Sequence, residues 1–206
     1  MPYFNQAIVR IFKTGTKTPV GAGFLIGPNL VLTCAHVVEE ALGKKNIQDK
    51  PEDTLTLDFP IIDKHPEYTA TVDKWKPVKD KPVKGEYEDM ALLKLKLKEN
   101  EKLDCQPLKL VEIDDYSDIA LILFGFPKTK DNGLPIKATA ILEIGSGHIH
   151  INPDPDQGSV DPGFSGTAAY AKKLNGVAGP LGHVLNTQGK SVRRIEGQGM
   201  PASAVR

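Results

Sequence analysis

Short apolar segments bounded by glycine, proline and asparagine recur from one end of this chain to the other, and helical periodicity is nearly absent. That pattern constrains the fold more than any other feature. Gln6–Phe12, Ala22–Ile26, Asn29–Cys34, Thr54–Phe59, Tyr68–Trp75, Met90–Leu97, Ile119–Phe126, Ala138–Ile144 and His148–Ile151 are predicted strands. Thr54-Leu55-Thr56-Leu57-Asp58-Phe59 alternates cleanly, with its leucines and phenylalanine on one face. The one predicted helix is Val37–Leu42, ending before Gly43. Many short strands with Gly and Pro punctuation specify an all-β sandwich or barrel. The polar stretch Lys98–Asp104 interrupts the pattern near the middle and leaves roughly six strands on each side. Two small barrels fit this better than one large sandwich, with 1–100 forming the first and 101–206 the linker and second. The sequence shows no internal repeat and no low-complexity tract.

Charge and composition exclude several functions. The 206 residues carry 26 basic and 26 acidic side chains, so the formal net charge is zero. No field favours nucleic acid or an anionic membrane, and neither is an expected partner. No apolar run approaches the length of a spanning helix. The start, MPYFNQAIVRIFK, has neither a basic n-region nor a continuous apolar core, so a cytoplasmic location is expected. Lys74–Lys84 is rich in lysine, but Asp73 and Asp80 dilute it and Trp75 is its only stacking ring. A solvated loop is the expectation there. Cys34 and Cys105 lie far apart without metal-site spacing, so two buried free thiols are expected. A Cys34 thiol nucleophile beside His36 is the weaker reading. His148 and His150 face one way on a strand without a third ligand nearby and read as a structural pair, and His65 reads as a surface residue.

Three segments carry the chemistry. Gly21-Ala-Gly-Phe-Leu-Ile-Gly-Pro-Asn-Leu-Val-Leu-Thr-Cys-Ala-His36 is a hairpin ending in a histidine. Tyr87-Glu-Asp89-Met-Ala-Leu-Leu places an acid before an apolar strand, with Glu86 and Glu88 as neighbouring carboxylates. Asp161-Pro-Gly-Phe-Ser165-Gly-Thr sets a serine in a glycine-flanked loop. Each is weak alone, but together they supply base, orienter and nucleophile in chain order. A serine hydroxyl attacks only when an imidazole takes its proton, and a carboxylate fixes that imidazole's tautomer. Glycines beside the serine let backbone N–H groups turn inward to hold an oxyanion.

These segments resemble the chymotrypsin-like, or trypsin-fold, serine peptidases. His36 in Leu-Thr-Cys-Ala-His, Asp89 in Glu-Asp-Met-Ala-Leu-Leu and Ser165 in Gly-Phe-Ser-Gly match that family's motifs in its chain order. Gln6-Ala-Ile-Val-Arg-Ile, Val20-Gly-Ala-Gly-Phe-Leu, Phe124-Gly-Phe-Pro and Pro162-Gly-Phe-Ser-Gly are similar more narrowly to bacterial trypsin-like effector domains. The resemblance implies two six-stranded antiparallel barrels with the site in the cleft between them. His36, Asp89 and Ser165 would be catalytic, and the N–H groups of Gly163 and Ser165 would form the oxyanion hole. It further implies a protein or peptide substrate, no cofactor or metal, and a sensor or NTPase partner that regulates the enzyme. By the same resemblance Ser159, Asp161 and His183 would be substrate-binding, with Ser159 as a neutral floor of the specificity pocket. Phe164 replaces the aspartate that pairs with a freed N-terminus in secreted zymogens. Pro180 falls where a substrate-binding strand is expected, and Gly182–Arg206 is polar and weakly patterned, predicting a poorly formed end. Two alternatives stay open: an impaired pseudo-protease serving as a binding or regulatory module, and an esterase or acyltransferase on the same site.

Overall fold

The structure, a computed structural model, describes residues 3–79, 88–113, 115–127, 130, 132–144, 148–154, 156, 160–185 and 191–195. Among the described residues twelve strands form two closed antiparallel barrels. The first contains β1 (Ile8–Phe12), β2 (Pro19–Gly27), β3 (Leu30–Thr33), β4 (Thr54–Asp58), β5 (Glu67–Lys76) and β6 (Met90–Leu95). The second contains β7 (Ile119–Gly125), β8 (Leu134–Ile144), β9 (His148–Pro153), β10 (Ala168–Ala171), β11 (Gly176–Leu185) and β12 (Ser191–Ile195). Around the first barrel the order is β1-β2-β3-β6-β5-β4, and around the second β7-β8-β9-β12-β11-β10. The second barrel thus repeats the first one's topology although no repeat is visible in the sequence. Among the described residues no helix is long and apolar enough to cross a membrane.

Alternating burial builds each core. On β4, Leu55 and Leu57 are wholly buried, as their two-residue period predicts, and they pack with Val9, Ile11, Leu25 and Leu93 inside the first barrel. Leu121, Leu123, Ile136, Ile149, Phe164 and Leu181 fill the second. A third cluster joins the barrels: Phe4, Ile8, Phe24, Leu32 and Leu92 from one side meet Phe124, Phe126, Tyr170 and Val177 from the other. Phe4 and Tyr170 stack there with ring centroids 4.7 Å apart. Arg10 on β1 reaches Asp58 on β4 through two hydrogen bonds of 2.9 and 2.5 Å, closing the first barrel's seam with a largely buried ion pair.

Several expectations need correction. Tyr3–Ala7 is a 3₁₀ turn, so the first strand begins at Ile8 instead of Gln6. The connector between the barrels extends past Asp104 and is pinned to both, with Leu108 N–H donating to Leu25 and Val177 N–H to the Lys109 carbonyl, each at 2.8 Å. The expected division at residue 100 falls inside it. Lys74–Lys76 belong to β5; Pro77–Lys79 follow without regular structure, and Asp80–Lys84 lie outside the described residues. Of the end expected to be poorly formed, Gly182–Arg206, the described residues are strand: β11 continues to Leu185 and pairs with β12, which pairs onward with β9, while 186–190 and 196–206 lie outside the described residues. Pro180 is tolerated inside β11 because it sits opposite Ala168 at a break in the β10–β11 register, and the bonds there run through Leu181 instead. His65 is exposed, and His150 sits in the β8–β9 ladder.

Candidate active site

The β3–β6 register brings a histidine and an aspartate together. Thr33 pairs with Ala91, so the residues just past β3 lie beside those just before β6. Cys34 is extended and helix α1 (Ala35–Leu42) starts after it, placing His36 in the first turn. Asp89 accepts twice from that residue. Its Oδ1 takes the His36 backbone N–H at 2.9 Å, and its Oδ2 lies 2.7 Å from Nδ1. One carboxylate therefore satisfies an open helix N–H and favours the tautomer with the proton on Nδ1, leaving the Nε2 lone pair for chemistry. Asp89 is 2% exposed and holds a left-handed φ of 49°, which aspartate tolerates better than most residues. Its own N–H donates to Pro77. Glu88 is also buried, but the carboxylate on the imidazole is that of Asp89. Glu86 lies outside the described residues.

The serine loop consists of two successive β-turns. Phe164 N–H donates to the Asp161 carbonyl at 3.3 Å, and Thr167 N–H to the Phe164 carbonyl at 3.1 Å. Each turn has glycine at its third position with positive φ, Gly163 at 107° and Gly166 at 81°. With Pro162 and Ser165 before them at negative φ, both turns are type II. No larger residue fits either glycine. A Cβ on Gly163 would lie 2.2 Å from the Phe126 carbonyl oxygen, and one on Gly166 2.1 Å from that of Ala22.

Contacts from both barrels seat this loop. The Ser165 carbonyl accepts from Ala22 N–H, the Gly163 carbonyl from Phe126 N–H, and Gly166 N–H donates to Leu181, at 2.8, 3.0 and 2.8 Å. Thr167 Oγ1 donates to the Phe124 carbonyl at 2.6 Å. Phe164 is wholly buried in the second core, its ring occupying the space that the missing Cβ of Gly125 leaves open. An apolar anchor thus stands where zymogens hold a charged one. Among the described residues, no backbone carbonyl accepts from the N–H of Gly163 or of Ser165.

Ser165 and His36 line one cleft of about 610 Å³, walled by Phe126, Pro162, Gly163 and the α1 residues Glu39 and Glu40. Of the expected substrate contacts, Asp161 is exposed at the start of the loop, and Ser159 lies outside the described residues. His183 pairs through its backbone with Arg193, and its side chain is not described. Both cysteines are buried and neither is in a disulfide, as expected. Burial, with the nearby Asp104 carboxylate, pushes the Cys105 thiol up to about 11. One feature lies beyond the sequence analysis: Phe164 stands there as a departure, without the anchoring role its burial against Gly125 gives it.

Comparison with known proteins agrees with this architecture. The MamO protease domain from Magnetospirillum magneticum, apo form, superposes with a TM-score of 0.65 at 16% identity, covering 96% of this chain and 94% of that one. An inactive form of the Rv3671c protease gives 0.60 at 20% identity, with 95% and 87% covered. A serine-to-alanine mutant of Rv3671c from M. tuberculosis H37Rv, also an inactive form, gives 0.61 at 19%, with 95% and 86% covered. These structures show the fold. No curated protein sequence matches the chain. The sequence profile of the family described as Trypsin matches residues 5–148, a span that includes His36, Asp89 and the whole first barrel. The chain therefore belongs to the trypsin family of serine proteases.

Proposed function

We propose that this chain is a serine endopeptidase in which Ser165 attacks the scissile carbonyl, His36 relays the proton and Asp89 orients His36. The observation that carries the reading is the two-point grip of Asp89 on His36, a residue that lines the same cleft as Ser165. As Ser165 Oγ forms its bond to carbon, Nε2 takes the hydroxyl proton, and the imidazolium is stabilised by Asp89. The N–H groups of Gly163 and Ser165 receive the oxyanion. Nε2 then returns the proton to the leaving amine, and water repeats the cycle on the acyl-enzyme.

The alternative is an impaired pseudo-protease that keeps the double barrel as a binding or regulatory module, and the test below separates the two. Ser159 as a neutral pocket floor favours small or medium uncharged side chains before the cleaved bond, with Asp161 and His183 as further substrate contacts. A regulated bacterial effector working in the cytoplasm with a sensor or NTPase partner completes the proposal and rests on resemblance. The test is hydrolysis of a peptide library by the wild-type chain and by Ser165→Ala. Turnover should fall by at least ~10³ in the variant with its fold retained. Equal turnover in the two proteins would refute the assignment.

A further inference from the structure

A thiol lies beside the His36–Asp89 pair. Cys34 Sγ, a ring nitrogen of His36 and a carboxylate oxygen of Asp89 all lie within 4.8 Å of one another. Among the described residues this is the only group of three such donors. Cys34 is wholly buried and Asp89 nearly so, while His36 opens on the cleft. Cys34 Sγ also sits 3.5 Å from the Leu181 carbonyl, so the second barrel covers it from behind.

We propose that Cys34, His36 and Asp89 form an inhibitory Zn²⁺ site, a reading that rests on the catalytic roles given above for its effect but not for the binding itself. The donor set is one thiolate, one imidazole and one carboxylate, the three ligand types zinc takes, and together they neutralise its two positive charges. Bonds of about 2.3 Å to sulfur and about 2.0–2.2 Å to nitrogen and oxygen put tetrahedral ligands about 3.5 Å apart. The Asp89–His36 pair opens slightly from 2.7 Å and the sulfur closes in, movements that side-chain rotation supplies. The cleft provides water for the fourth position.

Binding turns the base off through the tautomer. In the metal-free site Nδ1 carries the imidazole proton and Nε2 its lone pair. Zinc on Nδ1 displaces that proton, and the neutral ring carries its single proton on Nε2 instead. The thiol proton is the only one released to solvent. Ser165 then faces an N–H donor and loses its proton acceptor, while Asp89 is drawn onto the metal.

The first experiment needs no catalysis. Calorimetric titration of Zn²⁺ into the Ser165→Ala chain should give one site, and adding Cys34→Ala should weaken it by at least about tenfold. Co²⁺ substituted for zinc should show a thiolate charge-transfer band in Ser165→Ala and lose it on adding Cys34→Ala. Near-ultraviolet circular dichroism checks that both proteins are folded. In the wild-type chain, Zn²⁺ should abolish peptide hydrolysis reversibly to a chelator, whereas Cys34→Ser should stay active in zinc. Absence of the cobalt–thiolate band, or zinc affinity indifferent to Cys34, would overturn the site. Intact zinc binding in a chain that never hydrolyses peptide would refute the proposed function and leave the site standing.

Discussion

Phe164 is expected to anchor the serine loop, and its removal can be worked through in numbers. The ring is wholly buried in the second core, so Phe164→Ala removes its full apolar area and leaves a cavity whose walls include Gly125. Such truncations cost about 3–5 kcal/mol. For a chain of this size each kcal/mol shifts Tm by about 2–4 °C, giving a fall of about 6–20 °C. Gly125→Ala attacks the same contact from the other side, because its Cβ would stand 2.4 Å from two ring carbons of Phe164. Overpacking of this kind costs about 1–3 kcal/mol. Without the ring the added methyl meets empty space, so Gly125→Ala should cost little in a Phe164→Ala background. Denaturant unfolding of the four proteins of this cycle should yield a coupling of at least about 1 kcal/mol. The single variants should also lose kcat, since Phe164 lies between the two N–H donors offered to the oxyanion. Additivity of the two changes to within about 0.5 kcal/mol would refute the anchoring argument.

Other perturbations test separate links. Asp89→Asn should lower kcat by about 10⁴ at neutral pH, because the amide stabilises the wrong tautomer, while Glu88→Gln should cost little kcat. A larger kcat loss from Glu88→Gln would mean that the orienter is Glu88. Asp58→Ala leaves the Arg10 guanidinium largely buried without its carboxylate and should destabilise the chain by about 3–5 kcal/mol in urea unfolding; a cost below 1 kcal/mol would show the seam pair to be dispensable. Cys105, with its thiol raised to about 11, should resist iodoacetamide at pH 7, and its labelling should accelerate with pH through that value. Rapid labelling at pH 7 under native conditions, followed by mass spectrometry, would contradict its burial.

The first nine strands were legible because their apolar residues alternate or run between turn signals. The last three were not, for physical reasons that differ. Ala168–Ala171 is buried at every position and so shows no alternation. Gly176–Leu185 carries three glycines and Pro180, which read as loop. Ser191–Ile195 contains two arginines, and its pairing with β11 and β9 is a tertiary decision that no local window contains. The site divides in the same way. Residue types and chain order pointed to His36, Asp89 and Ser165, but the Asp89–His36 contact arises from the β3–β6 register. Phe164 was visible as a departure, yet its seat depends on Gly125, 39 positions away in the chain. Cys34 lies two residues from His36, and only the approach of Asp89 from β6 makes the three a cluster.

The central claim is that Ser165 is an activated nucleophile, and covalent labelling reads it directly. A fluorophosphonate probe incubated with the wild-type chain, followed by peptide mapping, should place one adduct on Ser165. Labelling should vanish in Ser165→Ala and slow sharply in His36→Ala, because the proton acceptor is gone. Absence of an adduct on the folded wild-type chain, or labelling at an unchanged rate without His36, would contradict the account.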